Sequence, residues 1–177
     1  MEAQYRELTE NEICRDLFSH FIRRQKVVKC WRRDGGKWVI KDDPFIDDWS
    51  EADYGILIAC LKNTAATGGF VYGFFCDGKL KGFASVESAL SGTARNYLDL
   101  TSLHVSADMR GKGIGKKLFL AAGKWAKEHG AGKLYISAHS AVETQGFYRA
   151  MGCVEAQEYN QTHVEAEPYD CQLEYSL

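Results

Sequence analysis

The stretch YLDLTSLHVSADMRGKGIGKK, residues 97–117, decides the fold. Its first nine residues, YLDLTSLHV, combine aliphatic and aromatic side chains with interspersed polar ones and predict a strand. Glycines follow at positions 111, 113 and 115, and an apolar helical period begins directly behind them. A strand, a glycine-rich turn and a helix in this order direct backbone N–H groups and the positive end of the helix dipole at one point. The stretch therefore predicts an anion site of the kind that holds phosphate.

Two common phosphate-binding patterns do not fit this turn. The Walker pattern needs a glycine five positions after Gly111, where Lys116 stands. The dinucleotide fingerprint G-x-G-x-x-G fails at the same residue and requires a parallel strand before the turn. Arg110, Lys112 and Lys117 nevertheless add positive charge around it. A nucleotide-phosphate binder stays an alternative, which competition between ATP and the bound ligand would test.

The sequence on both sides of the turn predicts a mixed sheet. Upstream, the strands at 70–76, 80–86 and 97–105 are separated by turn signals such as Asp77-Gly78, which predicts an antiparallel meander. Downstream, helix and strand alternate, which implies that part of the sheet is parallel. The predicted downstream elements are helices at 113–128 and 143–151 and strands at 134–138, 154–159 and 171–175.

The first third of the chain has its own pattern. A strand is predicted at 5–8, and Thr9 with Glu12 forms a capping box that predicts a helix carrying apolar residues as far as Ile22. Strands at 27–31 and 37–40, joined by two glycines, predict a hairpin. Ser50 is expected to cap a second helix that ends before Gly68.

Length and composition place the chain in the class of soluble globular domains. Its 177 residues predict one domain over 1–177, long enough to bury about 70% of the unfolded surface. The 22 basic and 24 acidic side chains leave a formal charge of -2, which disfavours a nucleic-acid binder. The basic run between Arg23 and Arg33 is therefore interpreted as a solvated helix end.

Cysteine spacing and hydropathy indicate the compartment. The six cysteines lie far apart, which disfavours a zinc site and predicts reduced thiols. The N-terminus lacks the pattern of a signal peptide, and no apolar stretch is long enough to cross a bilayer. We expect a cytoplasmic protein with neither a metal ion nor a membrane partner.

Two motifs together resemble the GNAT superfamily of acyl-CoA-dependent N-acyltransferases. The first is VSADMRGKGIGKKL at 105–118 and the second is GFYRAMGC at 146–153, with a helix and a strand between them. The resemblance covers roughly residues 70–175. It implies an α/β fold with a mixed, mostly antiparallel central sheet whose parallel strands splay apart, flanked by helices. The positions that match the family's motifs are Arg110, Gly113, Gly115, Phe147, Tyr148 and Gly152.

The resemblance also implies which residues bind acetyl-CoA. The end of the strand before the turn offers backbone groups to the pantetheine arm, and the turn surrounds the pyrophosphate with main-chain N–H groups. Ala141 stands where many members have an asparagine, so polar neighbours such as Ser140 and Gln145 would have to replace its hydrogen bonds. The expected cofactor-binding residues are Leu103, His104, Val105, Arg110, Gly111, Lys112, Gly113, Ile114, Gly115 and Lys116.

Three side chains are candidates for the proton transfers. Tyr148 matches the tyrosine that protonates the departing thiolate, and its phenol has an ordinary pKa of about 10. An alkylamine, with a pKa of about 10.4, must lose a proton before it attacks the thioester. Asp99 is the first candidate for this base, because strand alternation places it on the same face as Leu103 and Val105. Its alternative role is a carboxylate bonded to nearby backbone, and Glu87 on the neighbouring strand is the second candidate.

The predicted function is transfer of an acetyl group from acetyl-CoA to an amine by direct attack in a ternary complex. Trp31, Trp38, Trp49 and the acidic loop at 42–53 suit a small cationic amine as acceptor, although an ordinary solvated loop is the alternative. Two other functions stay open, a non-catalytic acyl-CoA sensor and a protein N-acetyltransferase. A homodimer is also left open.

Overall fold

A mixed sheet, built mostly from antiparallel neighbours, lies at the centre of the fold. The computed structural model describes residues 2–177, and within that range the chain forms nine strands and four α-helices. The strands are β1 (Ala3–Glu7), β2 (Gln25–Asp34), β3 (Lys37–Asp47), β4 (Phe70–Cys76), β5 (Lys79–Val86), β6 (Tyr97–Val105), β7 (Lys133–Ala138), β8 (Val154–Glu155) and β9 (Cys171–Ser176). The helices are α1 (Glu51–Ala66), α2 (Ile114–Glu128), α3 (Val142–Ala150) and α4 (Gln161–Ala166).

The strand order confirms the fold class expected from the sequence. Seven of the described strands form one sheet in the order β1-β4-β5-β6-β7-β9-β8, and β2 and β3 form a separate hairpin. The meander β4-β5-β6 is antiparallel throughout. Asp77 and Gly78, both with positive φ, make the tight turn between β4 and β5.

The parallel pair β6-β7 separates along its length. Hydrogen-bonded register runs only from Tyr97 to Asp99 on β6, against Lys133 to Tyr135 on β7. Beyond Asp99 the two strands diverge, and β7 stays paired with β9 on its other side. A gap therefore opens between the carboxyl ends of two neighbouring parallel strands, the usual place for a ligand in α/β sheets.

Helices cover both faces of the sheet. On one face, Leu118, Phe119 and Ala122 of α2 recur at helical spacing and are fully buried against Leu98 and neighbouring strand residues. On the other face, α1 packs over β4 and β5, with Leu61 and Phe83 in its core. No helix within residues 2–177 combines the length and the hydropathy needed to cross a bilayer.

The predicted helix behind Thr9 is wrong. The capping box is present, but it opens a single 3-10 turn at Glu10–Glu12, and a second turn follows at Arg15–Phe18. Ile13 and Cys14 between them are extended. Ile13, Phe18 and Phe21 are buried in the cluster under α1, whereas Ile22 is exposed, so tertiary packing placed these residues rather than a helical period.

The hairpin and the tail also differ from expectation. The strands β2 and β3 continue well past the predicted ends, so Asp42, Asp43 and Asp47 lie on a strand rather than in a loop. A bridge between Cys30 and Ala141 joins the hairpin to the loop behind β7. In the tail, the predicted strand at 154–159 shrinks to two residues, and α4 forms where no element was predicted.

Candidate active site

A cleft of about 750 Å³ lies where β6 and β7 diverge. One side, which we call the turn wall, consists of residues 100–105 of β6 and the turn at 110–116. The opposite side, the hairpin–tail wall, comes from three distant parts of the chain. The members of the hairpin–tail wall that line the cleft are Arg23, Arg24, Gln25, Lys26, Asp47, Trp49, Ser137, Ala138, His139, Glu167 and Asp170.

The glycine turn is open toward its surroundings. Gly111 and Gly113 have φ of +74° and +76°, values that favour glycine, and a Cβ built on either meets no atom within 4 Å. The first backbone hydrogen bond of α2 is the one that Lys117 N donates to Gly113 O at 3.2 Å. The N–H groups before Lys117 therefore have no carbonyl acceptor one helical turn earlier. No acidic side chain lies in the first turn of α2. The turn therefore retains the positive end of the helix dipole for an anion.

The predicted cofactor-binding residues fall into two groups. Leu103, His104, Val105, Arg110 and Gly115 line the cleft directly. The remaining five belong to the same turn but lie outside the cleft lining, and Ile114 is buried in the core. These five are Gly111, Lys112, Gly113, Ile114 and Lys116.

The side chain of Arg110 ties the two walls together. Its Nε donates to Val105 O at 3.2 Å and its Nη2 donates to Arg23 O at 3.0 Å. Burial and the nearby Arg23 charge lower the pKa of Arg110. Part of the charge expected to face phosphate is thus used to fix the end of β6 against the segment that enters the hairpin.

A β-bulge interrupts β6 at Thr101. Val86 of β5 pairs with Leu100, whereas the preceding residue Ser85 pairs with Ser102, so Thr101 is an extra residue on β6. A bulge of this kind shifts the alternation of side chains by one residue.

The bulge overturns the expected orientation of Asp99. Leu100 packs in the α2-facing core, and Leu103 and Val105 pack against that same cluster. Asp99, adjacent to Leu100 on the unbroken part of the strand, therefore faces the opposite side from Leu103 and Val105. The sequence-based placement of these three residues on one face is wrong.

Asp99 and Glu87 lie outside the residues that line the cleft. Asp99 Oδ2 is 2.8 Å from Nε2 of His163 on α4, and this hydrogen bond raises the pKa of His163 although burial opposes it. Glu87 follows β5, and its Oε1 accepts a 2.6 Å hydrogen bond from Thr64 Oγ1 on α1. Both carboxylates contact other parts of the chain rather than the open cleft.

Tyr148 lines the cleft from α3 and is buried. Burial raises the pKa of its phenol, and the neighbouring Cys153 and Asp170 raise it further. Phe119 and Phe147 surround the ring at centroid distances of 6.1 and 5.2 Å. The hydroxyl is thus held in its protonated form beside the cleft.

Asp170, which the sequence reasoning missed, lies in the same cleft just before β9. It accepts a 3.2 Å hydrogen bond from Ser137 Oγ at the end of β7. Burial raises the pKa of Asp170, and the charge of Glu167 adds to the effect, whereas His139, the Ser137 hydroxyl and His163 oppose it. No local signal marks this residue, because only the fold brings the tail to the ends of β6 and β7.

The two histidines of the cleft are held by different contacts. His104 is packed between Trp49 and Phe83, and burial lowers its pKa to about 3. Nδ1 of His139 accepts a 3.1 Å hydrogen bond from Ala141 N, which assigns the ring proton of the neutral form to Nε2. His104 is therefore neutral, and one ring nitrogen of His139 is already bonded to the backbone.

The predicted recognition of an amine by the tryptophans and the 42–53 acids needs correction. Arg23 lies 5.0 Å from the Trp49 ring centroid and forms an ion pair with Asp47. Arg32 pairs with Asp43 in the same way. The basic run is thus not a solvated helix end, since it lies largely on β2; Arg23 and Arg32 pair with acidic residues across the hairpin, and Arg33 pairs with Glu155 of β8. Arg149 and Arg33 cover the other two tryptophans, Trp31 and Trp38, at 4.3 and 4.7 Å.

The polar neighbours of Ala141 hold the loop behind β7. Ser140 Oγ accepts a 2.5 Å hydrogen bond from Arg32 Nη1, and Gln145 Nε2 donates to His139 O at 2.9 Å. Ala141 itself is buried against the hairpin. Within residues 2–177 no cluster of three or more metal-ligating side chains is arranged around a cation site, and the six cysteines are free thiols.

Solved structures share this fold along nearly the whole chain. Nourseothricin acetyltransferase is 18% identical with a TM-score of 0.68, over 98% of this chain and 96% of its own. A Bacillus anthracis protein described as a streptothricin acetyltransferase, in complex with acetyl coenzyme A, is 18% identical with a TM-score of 0.70, over 100% and 98%. The PaiA N-acetyltransferase of Thermoplasma acidophilum, in complex with coenzyme A, is 17% identical with a TM-score of 0.64, over 100% of both chains.

Sequence comparison identifies the family. A comparison with curated proteins finds no match. The family model described as acetyltransferase (GNAT) family matches residues 25–153, which include the hairpin, the meander, the glycine turn and Tyr148. This match confirms the resemblance seen in the two motifs and the prediction of an acetyltransferase. The chain belongs to the GNAT family of acetyltransferases.

Proposed function

We propose that this protein transfers an acetyl group from acetyl-CoA to a small cationic amine by direct attack while both are bound. The observation that carries the proposal is the divergence of β6 and β7 beyond Asp99, with the open glycine turn at one side and carboxylates at the other. Tyr148 lines the space between them.

The turn wall fits an acyl-CoA by its main chain. Past Asp99 the edge of β6 that faces β7 has no strand partner, so its backbone groups can bond an extended pantetheine arm. The turn at 110–116 offers N–H groups and a helix dipole to the pyrophosphate. Acetyl-CoA supplies the acetyl group as a reactive thioester, and structures of this fold hold it or coenzyme A.

Tyr148 is the proposed acid. Its raised pKa keeps the phenol protonated over the working pH range, so a proton is present where the thiolate departs. The raised pKa also makes the phenol a weaker acid than the coenzyme thiol, whose pKa is about 8.5, so the donation has to be coupled to the return of a proton to the phenol. Asp99 and Glu87 stay sequence-based candidates for the base, but each could act only through another group, because neither lines the cleft.

The carboxylates Glu167 and Asp170 are the part of the hairpin–tail wall that suits a cationic acceptor, because within residues 2–177 neither forms an ion pair with a basic side chain, in contrast to Asp47. Arg24 and Lys26 of the same wall are basic and form no ion pair within that range either, so we place the proposed acceptor site at the tail end of the wall, next to these two carboxylates. The hairpin limits acceptor size, because it is fastened to the β7 side at Cys30 and Ala141 and to the β6 side through Arg110. With the hairpin held at these two points beside the cleft, a small molecule fits there better than a protein segment.

The test is thiol release from acetyl-CoA with a panel of polyamines, aminoglycosides, amino-acid amides and lysine peptides. We expect turnover with small polycations. Tyr148→Phe should lower kcat on the order of 100-fold while coenzyme A affinity stays within about twofold. Tyr72→Phe, which removes a hydroxyl from β4 away from the cleft, is the matched control.

Other outcomes would select the alternatives. Coenzyme A binding without turnover of any amine would support an acyl-CoA sensor. Turnover confined to the peptides would support a protein N-acetyltransferase.

A further inference from the structure

Asp170 lies in the cleft at the point where the tail meets the end of β7. The turn in which Asp170 N donates to Glu167 O at 3.0 Å brings it back from α4 to the start of β9. There it is held by Ser137 Oγ, which in turn accepts a 3.0 Å hydrogen bond from Gln172 Nε2. The carboxylate is therefore positioned by two strands, β7 and β9, on the wall opposite the glycine turn.

The other side chains of the cleft that could accept a proton from the amine are already hydrogen-bonded, enclosed or exposed. Asp47 is paired with Arg23, His104 is enclosed by aromatic rings, and Nδ1 of His139 is occupied by a backbone N–H. Glu143 and Glu167 also line the cleft, but both are exposed, whereas Asp170 is partly buried. Asp170 also lies close enough to Tyr148 for its charge to act on the phenol.

From this arrangement we infer that Asp170 binds the acceptor as an ammonium ion and takes the proton that frees its nitrogen for attack. The inference rests on the proposed acetyl transfer and assigns to it a base that the sequence motifs do not contain. The Asp170 side chain would contact the reacting nitrogen, whereas Asp99 and His163 lie outside the cleft lining.

The protons and electrons balance as follows. The first proton passes from the ammonium nitrogen to an Oδ atom of Asp170 and is later released to solvent. The freed lone pair forms the bond to the acetyl carbonyl carbon, and the electron pair of the carbon–sulfur bond stays on sulfur. Tyr148 gives its proton to that sulfur, and the second proton of the nitrogen restores the phenol.

The role predicts a pH dependence of definite sign. Asp170 must be ionised to accept a proton, so kcat/KM for an alkylamine should fall as the pH drops through the raised pKa of Asp170. A raised pKa makes it a stronger base near neutral pH than an ordinary aspartate. The titratable groups that face it are Glu167 beside it, His139 behind β7, His163 on α4, Tyr148 on α3 and Cys171 on β9.

The main test compares Asp170→Asn with wild type on two acceptors, the best alkylamine of the panel and the O-alkylhydroxylamine of the same chain, which is neutral at neutral pH. We expect kcat/KM for the alkylamine to fall on the order of 100-fold and for the hydroxylamine by less than about tenfold. Coenzyme A affinity should not change. Glu165→Gln, an exposed carboxylate on α4 outside the cleft lining, is the control. Equal losses on both acceptors, or none, would overturn the inference.

A second variant tests the role of Asp170 even if Asp170→Asn fails to fold. Ser137→Ala removes the hydroxyl that stabilises the ionised carboxylate, so the acid limb of the kcat/KM profile should move to higher pH while the fold stays intact. An unmoved limb would contradict the role of Asp170. Failure of the proposed function looks different, because wild type itself would then acetylate no amine.

Discussion

The two walls of the cleft are built by different means. The turn wall comes from two neighbouring segments, residues 100–105 and the turn at 110–116. The groups it offers are mainly backbone N–H and C=O groups that glycine and an unpaired strand edge leave open. The hairpin–tail wall joins residues from the hairpin, the end of β7 and the tail, and it acts through side chains.

This difference explains what each wall reveals about function. Main-chain recognition depends on local conformation, so it leaves a short pattern of glycines that is visible in the sequence. Side-chain recognition depends on which distant residues the fold brings together. The proposed cofactor side is accordingly readable from two motifs, whereas the proposed acceptor side requires the structure.

The largest expected effect comes from breaking the turn wall at Gly113. Gly113→Val places a β-branched residue at φ +76°, a conformation that costs an L-residue roughly 1–2 kcal/mol or more. We expect the turn to leave this conformation, its N–H groups to lose alignment, and coenzyme A affinity measured by calorimetry to fall on the order of 100-fold.

The matched control is a glycine of α3 without this constraint. A Cβ at Gly146 meets no atom within 4 Å and its φ is ordinary, so Gly146→Ala should leave affinity unchanged and stabilise the helix by roughly 0.5–1 kcal/mol. An affinity of Gly113→Val within about threefold of wild type would show that main-chain geometry does not control this wall.

In the hairpin–tail wall, loss of one partner of a buried ion pair should have the largest effect. Asp47→Asn leaves the Arg23 guanidinium, which is only 10% exposed, without its carboxylate, and we expect the free energy of unfolding to drop by about 3 kcal/mol. Denaturant unfolding measures this loss, and KM for the amine should rise while coenzyme A affinity stays the same. Asp42→Asn is the control, because its 3.8 Å contact with Lys29 is exposed and should contribute less than about 0.5 kcal/mol. Similar losses in the two variants would count against a special role for the buried pair.

The smallest effect is expected behind that wall, at the pair of Asp99 and His163. The raised pKa of His163 means that the pair contributes stability fully below the unfolded pKa of histidine, and that this contribution disappears as pH rises through the folded pKa. Asp99→Asn should therefore lower the free energy of unfolding by roughly 1 kcal/mol at pH 5.5 and by less at pH 9. Proton NMR should also show a lower His163 pKa. A loss that does not vary with pH would mean that the pair is not ionic.

Elements defined by local signals were predictable here. The Asp77-Gly78 turn, the strand ending at Val105 and the glycines before α2 each carry a conformational preference within a few residues, and the structure places them as expected. The capping box at Thr9 shows the limit of such signals, because packing of Ile13 and Phe18 outweighed the preference for a continuous helix.

The orientation of Asp99 and the position of Asp170 could not be predicted for a different reason. The bulge at Thr101 depends on how β5 aligns with β6, which no residue at the site announces. Asp170 reaches the cleft only because the tail pairs with β7 through β9. Both facts are properties of strand pairing rather than of any one segment.

The extra residue Thr101 reverses the alternation of side chains along β6. Before it, odd-numbered side chains such as Asp99 face away from α2, and after it odd-numbered side chains such as Leu103 face toward α2. One additional residue thus assigns Leu103 to the core under α2 and His104 to the opposite face, against Trp49 and Phe83. Deletion of Thr101 would exchange these two assignments, so the chemical character of the cleft depends on the length of one strand as much as on its composition.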